Sequence, residues 1–171
     1  MVFLILKMEK ELSSLARIRF SDCDPIGHLN NVKYLEYMLN AREDHVESGY
    51  GFTYEEYTRK TGCTWITVQN EIAYLREVRY NARVLITSKT IEIGDRLSKV
   101  EILMKSPDGK IIHSVLWLTI LYFDMKTRSA AKHPEDTKKL FERFLVGLEE
   151  QDFASRVQSC RKFNKAALKN D

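Results

Sequence analysis

The feature that most constrains this chain is a change of hydrophobic period near Thr64. Before it, Val32, Leu35, Met38, Leu39, Ala41 and Val46 recur at helical spacing, with Tyr34 and His45 on the same side. Lys33, Glu36, Asn40, Glu43, Asp44 and Glu47 take the opposite side, so the spacing predicts a helix from Asn31 to about Ser48. A stripe that wide and long has to be covered along its length, and a sheet can cover it. From Thr64 the period becomes two: Ile66, Val68, Ile72 and Tyr74 alternate with Thr67, Gln69 and Glu71. One long helix followed by a run of strands predicts an antiparallel sheet wrapped around that helix.

The later strands follow from the same pattern. Residues 83–93 form one, Gly94-Asp95 a turn, and Leu97 to Lys105 the next. In that strand Val100, Ile102 and Met104 face inward, and Lys99, Glu101 and Lys105 outward. Ser106-Pro107-Asp108-Gly109 is a hairpin turn, because proline sets φ and glycine tolerates a positive one. Ile111 to Phe123 is apolar on both faces and reads as a central strand. Such short connections make neighbours antiparallel, and the class is α+β. Upstream, Leu15 to Phe20 alternates and reads as a strand, broken by Pro25 and Gly27. A short helix is expected over Thr53 to Arg59. Downstream, Pro134 fits the first position of a helix with Glu135 and Asp136 behind it, and Leu140, Phe141, Phe144, Leu145 and Leu148 form its stripe. Asp152 to Leu168 is weakly amphipathic and basic, a terminal helix with no docking face legible. Residues 9–150 thus read as one domain and residues 151–171 as a basic helical tail.

At 171 residues one domain with a sound core is the natural outcome. A net charge of +3, with no basic run interleaved with aromatics, does not point to nucleic acid. The cysteines, Cys23, Cys63 and Cys160, are odd in number and widely spaced. They suit neither a disulfide framework nor a metal knuckle, and favour a reducing compartment. The apolar start, Met1 to Leu6, is too short for a membrane span or a signal core, and Met8 is a second candidate initiator. The expectation is a cytoplasmic protein with no membrane partner.

The chemistry concentrates between the first strand and the long helix, where Asp22, Cys23, Asp24, Pro25, Gly27 and His28 precede Asn30 and Asn31. A helix N-terminus presents free N–H groups and a positive dipole end, which together can hold an oxyanion. A carboxylate on the turn before it can attack a carbonyl or take a proton from water. Asp24 is the candidate, as nucleophile or general base, with His28 to orient water, bond Asp24 or protonate a leaving group. Each residue also has a structural reading. Asp24 before Pro25 can be a turn residue, Asp22 a loop brace, His28 a hydrogen-bonded loop histidine, and Asn30 or Asn31 the helix cap. Cys23 between two acids is a poor thiolate. His45 reads as a core histidine, and His113 and His133 as packing or solvent-facing residues. No Gly-x-Ser-x-Gly elbow, metal-ligand spacing or Walker-type loop is present.

The element order, together with Phe20-Ser-Asp-Cys-Asp-Pro-Ile-Gly-His-Leu-Asn-Asn-Val-Lys-Tyr34, resembles the hotdog-fold thioesterases, chiefly the 4-hydroxybenzoyl-CoA thioesterase family. It is also similar to the plant-type acyl-ACP thioesterases through Asp-x-x-x-His-x-Asn-Asn-x-x-Tyr. The fold likeness covers about residues 15–124. It implies a hotdog fold with a C-terminal helical extension, hydrolysis of acyl-CoA or acyl carrier protein thioesters as in fatty acid metabolism, and no cofactor or metal. It further implies an active site at the interface of a homodimer or of a tetramer of dimers. By the same resemblance Asp24 is the catalytic carboxylate, the Asn31 backbone N–H polarises the thioester carbonyl, and His28 is catalytic as in the acyl-ACP enzymes. Those enzymes carry an asparagine where Ile26 stands, and their later acid has only Glu71 nearby. Asn30 and Tyr34 are expected at the substrate, and Arg76 and Arg79 at phosphates; Arg128 and Lys132 are further cations at strand ends. Two alternatives remain: a hotdog enoyl-thioester hydratase, whose Asp-x-Asn-Pro-x-His partly matches Asp22 to His28, and a non-catalytic acyl-thioester binding module.

Overall fold

The computed structural model describes residues 10–169, so the apolar start from Met1 to Leu6 and Met8 lie outside the described residues. The helix α1, Asn31–His45, lies against an antiparallel sheet of β1 (Leu12–Arg17), β2 (Cys63–Tyr74), β3 (Arg83–Ile93), β4 (Leu97–Lys105), β5 (Ile112–Asp124) and β6 (Ser129–Ala130). The strands run in the spatial order β1-β3-β4-β5-β2, and β6 pairs with the end of β5. Three further helices are α2 (Tyr54–Thr61), α3 (Glu135–Glu142) and α4 (Phe153–Ala167). This is the sheet around a long helix that the change of period predicts, and the hotdog arrangement that the resemblance implies. Among the described residues no helix is long and apolar enough to cross a membrane.

Period decides which face each residue meets. Tyr34, Met38 and Ala41 of α1 are buried against Val100, Ile102 and Met104 of β4 and Leu116 and Leu118 of β5. His45 is buried on the same helix, with Nδ1 2.8 Å from Ser88 Oγ and Nε2 3.0 Å from Ser14 Oγ, the satisfied core histidine expected of it. Burial, and then the neighbouring Arg42 guanidinium, push its pKa down to about 4. The helix passes through a π-helical turn, Val46–Tyr50, and ends at Gly51, whose φ of 81° suits glycine. Thr53 then starts α2 with a capping box. Its Oγ1 accepts from the Glu56 N–H at 3.1 Å, and its own N–H donates to Glu56 Oε2 at 2.9 Å.

Several expectations shift. The first strand ends at Arg17, not Phe20, because Phe20–Asp22 coil into a 3-10 turn. Pro134 caps α3 from outside, and the helix ends at Glu142 although the apolar stripe runs on to Leu148. Beyond it Phe144 stacks on Tyr50 at 4.0 Å, and the Val146 N–H donates to the Thr90 carbonyl at 2.9 Å beside the β3 bulge. The chain there becomes a strand-like strap. β5 lies between β4 and β2, interior but not the middle strand.

The largest departure concerns the outward face of β4. Glu101 does point away from α1, yet it is 1% exposed, because α4 lies over it. Arg156 of α4 donates through Nε to Glu101 Oε2 and through Nη2 to Oε1, both at 2.7 Å. Trp117 Nε1 donates to the same carboxylate at 2.9 Å, and Lys89 Nζ stands 3.5 Å away. Val157 and Cys160 bury the helix against Leu103, Val115 and Trp117. Asn164 completes the docking. Its Oδ1 accepts from the Ile112 N–H at 2.7 Å and its Nδ2 donates to the Ile112 carbonyl at 2.8 Å, as a neighbouring strand would.

Candidate active site

The turn before α1 is built by backbone geometry. The Asp24 N–H donates to the His28 carbonyl at 2.7 Å, and Gly27 returns a bond to the Asp24 carbonyl at 3.0 Å with φ of 81°. Alanine at Gly27 would meet no neighbour, so the constraint there is the dihedral. The turn is sewn to residues 78–80 by Leu29 N–H to the Val78 carbonyl at 2.8 Å and Tyr80 N–H to the Gly27 carbonyl at 3.0 Å. Asp24 Oδ1 accepts from the backbone N–H groups of Ile26 at 3.1 Å and His28 at 2.9 Å. The turn reading of Asp24 is therefore correct as far as it goes, and it orients the carboxyl while leaving Oδ2 unengaged among the described residues.

Asn30 is the cap of α1, with Oδ1 accepting from the Val32 N–H at 3.2 Å. Lys33 and Tyr34 N–H both reach the Asn30 carbonyl. The Asn31 N–H is left without an acceptor among the described residues, at the positive end of the dipole. Asp24, His28, Asn31, Tyr34 and Arg76 line one open cleft of about 280 Å3, together with Tyr74 and Glu77. The Tyr74 hydroxyl donates to the Asn31 carbonyl at 3.1 Å and ties the end of β2 to the first residue of α1. The Tyr34 hydroxyl accepts from the Val78 N–H at 3.1 Å, and burial pushes its pKa up.

Not every expected residue enters the cleft. Asn30 turns away as a cap. Arg79 pairs with Glu77, Nη2 to Oε1 at 3.1 Å, and its side chain is 77% exposed. Glu71 sits on β2 opposite Trp117 and does not line the cleft. Asp22 braces the loop: its Oδ2 accepts from the Tyr37 hydroxyl at 2.7 Å, and Lys33 Nζ lies 3.7 Å from Oδ1. Burial, then Asp22 and Asp24, raise the Cys23 thiol pKa, which leaves it a poor nucleophile. Glu77 was not foreseen. Its Oε2 lies 3.2 Å from His28 Nε2, and it stands in a stretch with no period to read.

Comparison with known proteins gives the chain its family. Residues 18–141 match the family model of the thioesterase-like superfamily. The long-chain acyl-CoA thioesterase FadM of Escherichia coli (strain K12) is 24% identical over 115 residues, which span 67% of this chain and 84% of that protein. A Staphylococcus aureus protein solved in complex with CoA superposes with a TM-score of 0.75 at 13% identity, covering 88% of this chain and 93% of that one. A Lactobacillus plantarum protein assigned as an oleoyl thioesterase gives 0.72 at 19% identity over 84% of this chain, which spans only 55% of that longer protein. At such identities the structural likenesses establish the fold alone. The family match takes in the whole cleft from Asp24 to Glu77, and the chain belongs to the thioesterase-like superfamily, whose chemistry is the hydrolysis of thioesters.

Proposed function

We propose that this protein hydrolyses acyl-CoA thioesters at the cleft before α1, with Asp24 as the catalytic carboxylate. The observation that carries the reading is the convergence of Asp24, His28 and Asn31, whose N–H has no acceptor among the described residues, on one cleft. A thioester is already activated, so the protein has to supply a nucleophile and a place for developing charge. Asp24 Oδ2 supplies the first, either by deprotonating water or by attacking the carbonyl carbon itself. The Asn31 N–H meets the carbonyl oxygen as it becomes an oxyanion, and the α1 dipole adds to that contact. Collapse of the tetrahedral intermediate expels CoA thiolate and leaves the acid or, on the covalent route, an anhydride with Asp24 that water then opens. Glu77 holds His28 through Nε2 at the edge of the cleft, where the ring can serve the leaving thiolate or the water. FadM, a long-chain acyl-CoA thioesterase, favours a fatty acyl group.

We further propose that the protein works as a homodimer paired through β2. That strand is an open edge beside the cleft, with Ile66 36% and Val68 51% exposed, and a second copy covers both the edge and the cleft mouth. The deciding experiment is thiol release from short, long and aromatic acyl-CoAs by the wild type and by Asp24→Asn. Turnover that falls at least about a hundredfold in the variant, with fold unchanged, supports the assignment. Equal turnover in both proteins removes Asp24 from the mechanism. Enoyl-CoA hydration without thiol release would replace the hydrolase reading with a hydratase.

A further inference from the structure

A second groove, of about 420 Å3, adjoins the catalytic cleft and shares Leu75 and Arg76 with it as common walls. Its other lining residues all come from the end of α4 and just beyond: Arg161, Asn164, Lys165, Leu168 and Lys169. The groove therefore presents Arg76, Arg161, Lys165 and Lys169 with no acidic residue in its lining. Among the described residues none of these side chains has an anionic partner, whereas most other cations near α4 are paired: Arg156 with Glu101 and Glu150, Lys89 and Lys105 with Glu11. Basic residues in a last turn do complement the helix dipole. That effect does not account for Arg76, which comes from the opposite wall. Nor does it account for the position of α4, which Arg156 and Asn164 lock to the sheet so that its basic stripe faces this groove.

We infer that the groove between α4 and Arg76 holds the phosphates of the CoA nucleotide while the thioester lies in the adjoining cleft. This rests on the thioesterase reading and goes further by giving the C-terminal helix, which lies beyond the family-matched residues 18–141, the task of selecting the thiol carrier. The chemistry is complementary: 3′-phospho-ADP is polyanionic, and a fork of guanidinium and ammonium groups is what binds it. The pantetheine arm is the part of CoA that joins the two sites, and it passes over the shared wall at Leu75 and Arg76.

The test compares acyl-CoA with the same acyl group on pantetheine, which lacks the nucleotide. It uses the wild type, the triple variant Arg161→Ala, Lys165→Ala, Lys169→Ala, and the single control Lys162→Ala. Loss of several exposed charge contacts is expected to lower the preference in kcat/KM for acyl-CoA over acyl-pantetheine about tenfold, through KM. Arg161→Lys restores part of it, and Lys162→Ala keeps the wild-type ratio. An unchanged ratio in the triple variant overturns the inference. So does a ratio that is unchanged for CoA while turnover of acyl carrier protein collapses, which would make the groove a carrier-protein dock. Calorimetry with adenosine 3′,5′-diphosphate reads the groove without turnover. Binding that the triple variant abolishes supports the groove even if no thioester is hydrolysed, and no binding to the wild type overturns it.

Discussion

Glu77 Oε2 lies 3.2 Å from His28 Nε2, across the loop from the Asp24 turn. The contact sets the orientation of an imidazole on a loop that backbone bonds and the Asp22 and Asp24 carboxyls hold in place. Removing the ring and removing its holder should therefore have graded effects. His28→Ala is expected to lower kcat about a hundredfold, and Glu77→Ala about tenfold, with KM for acyl-CoA little changed. Steady-state kinetics of both variants checks the order, and a larger loss at Glu77 than at His28 contradicts it.

The Glu101 carboxylate is fully buried and held by Arg156, Trp117 and Lys89. Arg156→Ala leaves that charge poorly compensated and is expected to cost about 3 kcal/mol in urea unfolding. Adding Glu101→Met to make a double variant should recover much of the loss, because a buried pair replaced by apolar groups is nearly neutral. A double variant as unstable as the single one would show that the packing of α4, and not the charge pair, carries the stability.

His45 gives the fold an acid-sensitive point. Its folded pKa, pushed by burial and the Arg42 guanidinium from 6.5 to about 4, lies below that of the unfolded chain. The neutral ring is the form the fold prefers, so its contribution is complete above pH 6.5. It is lost as the pH falls toward 4, by about 3 kcal/mol in all. Denaturation midpoints measured across that interval should drop more steeply for the wild type than for His45→Asn. Parallel curves would place the acid sensitivity elsewhere.

The exposed β2 edge makes an assembly prediction. Val68→Asp places charge on the apolar edge and should convert a dimer to a monomer in light scattering, with loss of at least about tenfold in kcat/KM. A variant that stays dimeric moves the interface off β2.

The parts of the fold with a strong period were legible in the residues. The runs 83–93 and 97–105 placed β3 and β4 residue for residue, and the Asn30-Asn31 pair marked the helix entry by its capping chemistry, with Asn30 the residue that caps it. The Asp24 turn was legible because the bonds that close it, from Asp24 to Ile26, Gly27 and His28, are local; its attachment to residues 78–80 was not. What escaped were long-range contacts that leave no local mark. Glu101 has the sequence signature of a solvent-facing charge, and only the arrival of Arg156 from α4 makes its burial tolerable. The apolar stripe past Glu142 continues at helical spacing, yet the same side chains are better used as a strap against Thr90 and Tyr50. Glu77 could not be paired with His28 without knowing that residues 78–80 run beside the Asp24 turn.

The docking of α4 makes β4 the slowest part of the molecule. Its two flanks are paired to β3 and β5, its inner side chains are covered by α1, and its outer Glu101 and Leu103 by α4. No partial opening exposes its amides without first lifting a helix or parting two strands. Their deuterium exchange should therefore follow the unfolding of the whole protein. The amides of β1, at the opposite edge of the sheet from β2, should exchange far sooner, and the interval between the two measures how much of the molecule can open while its centre stays shut.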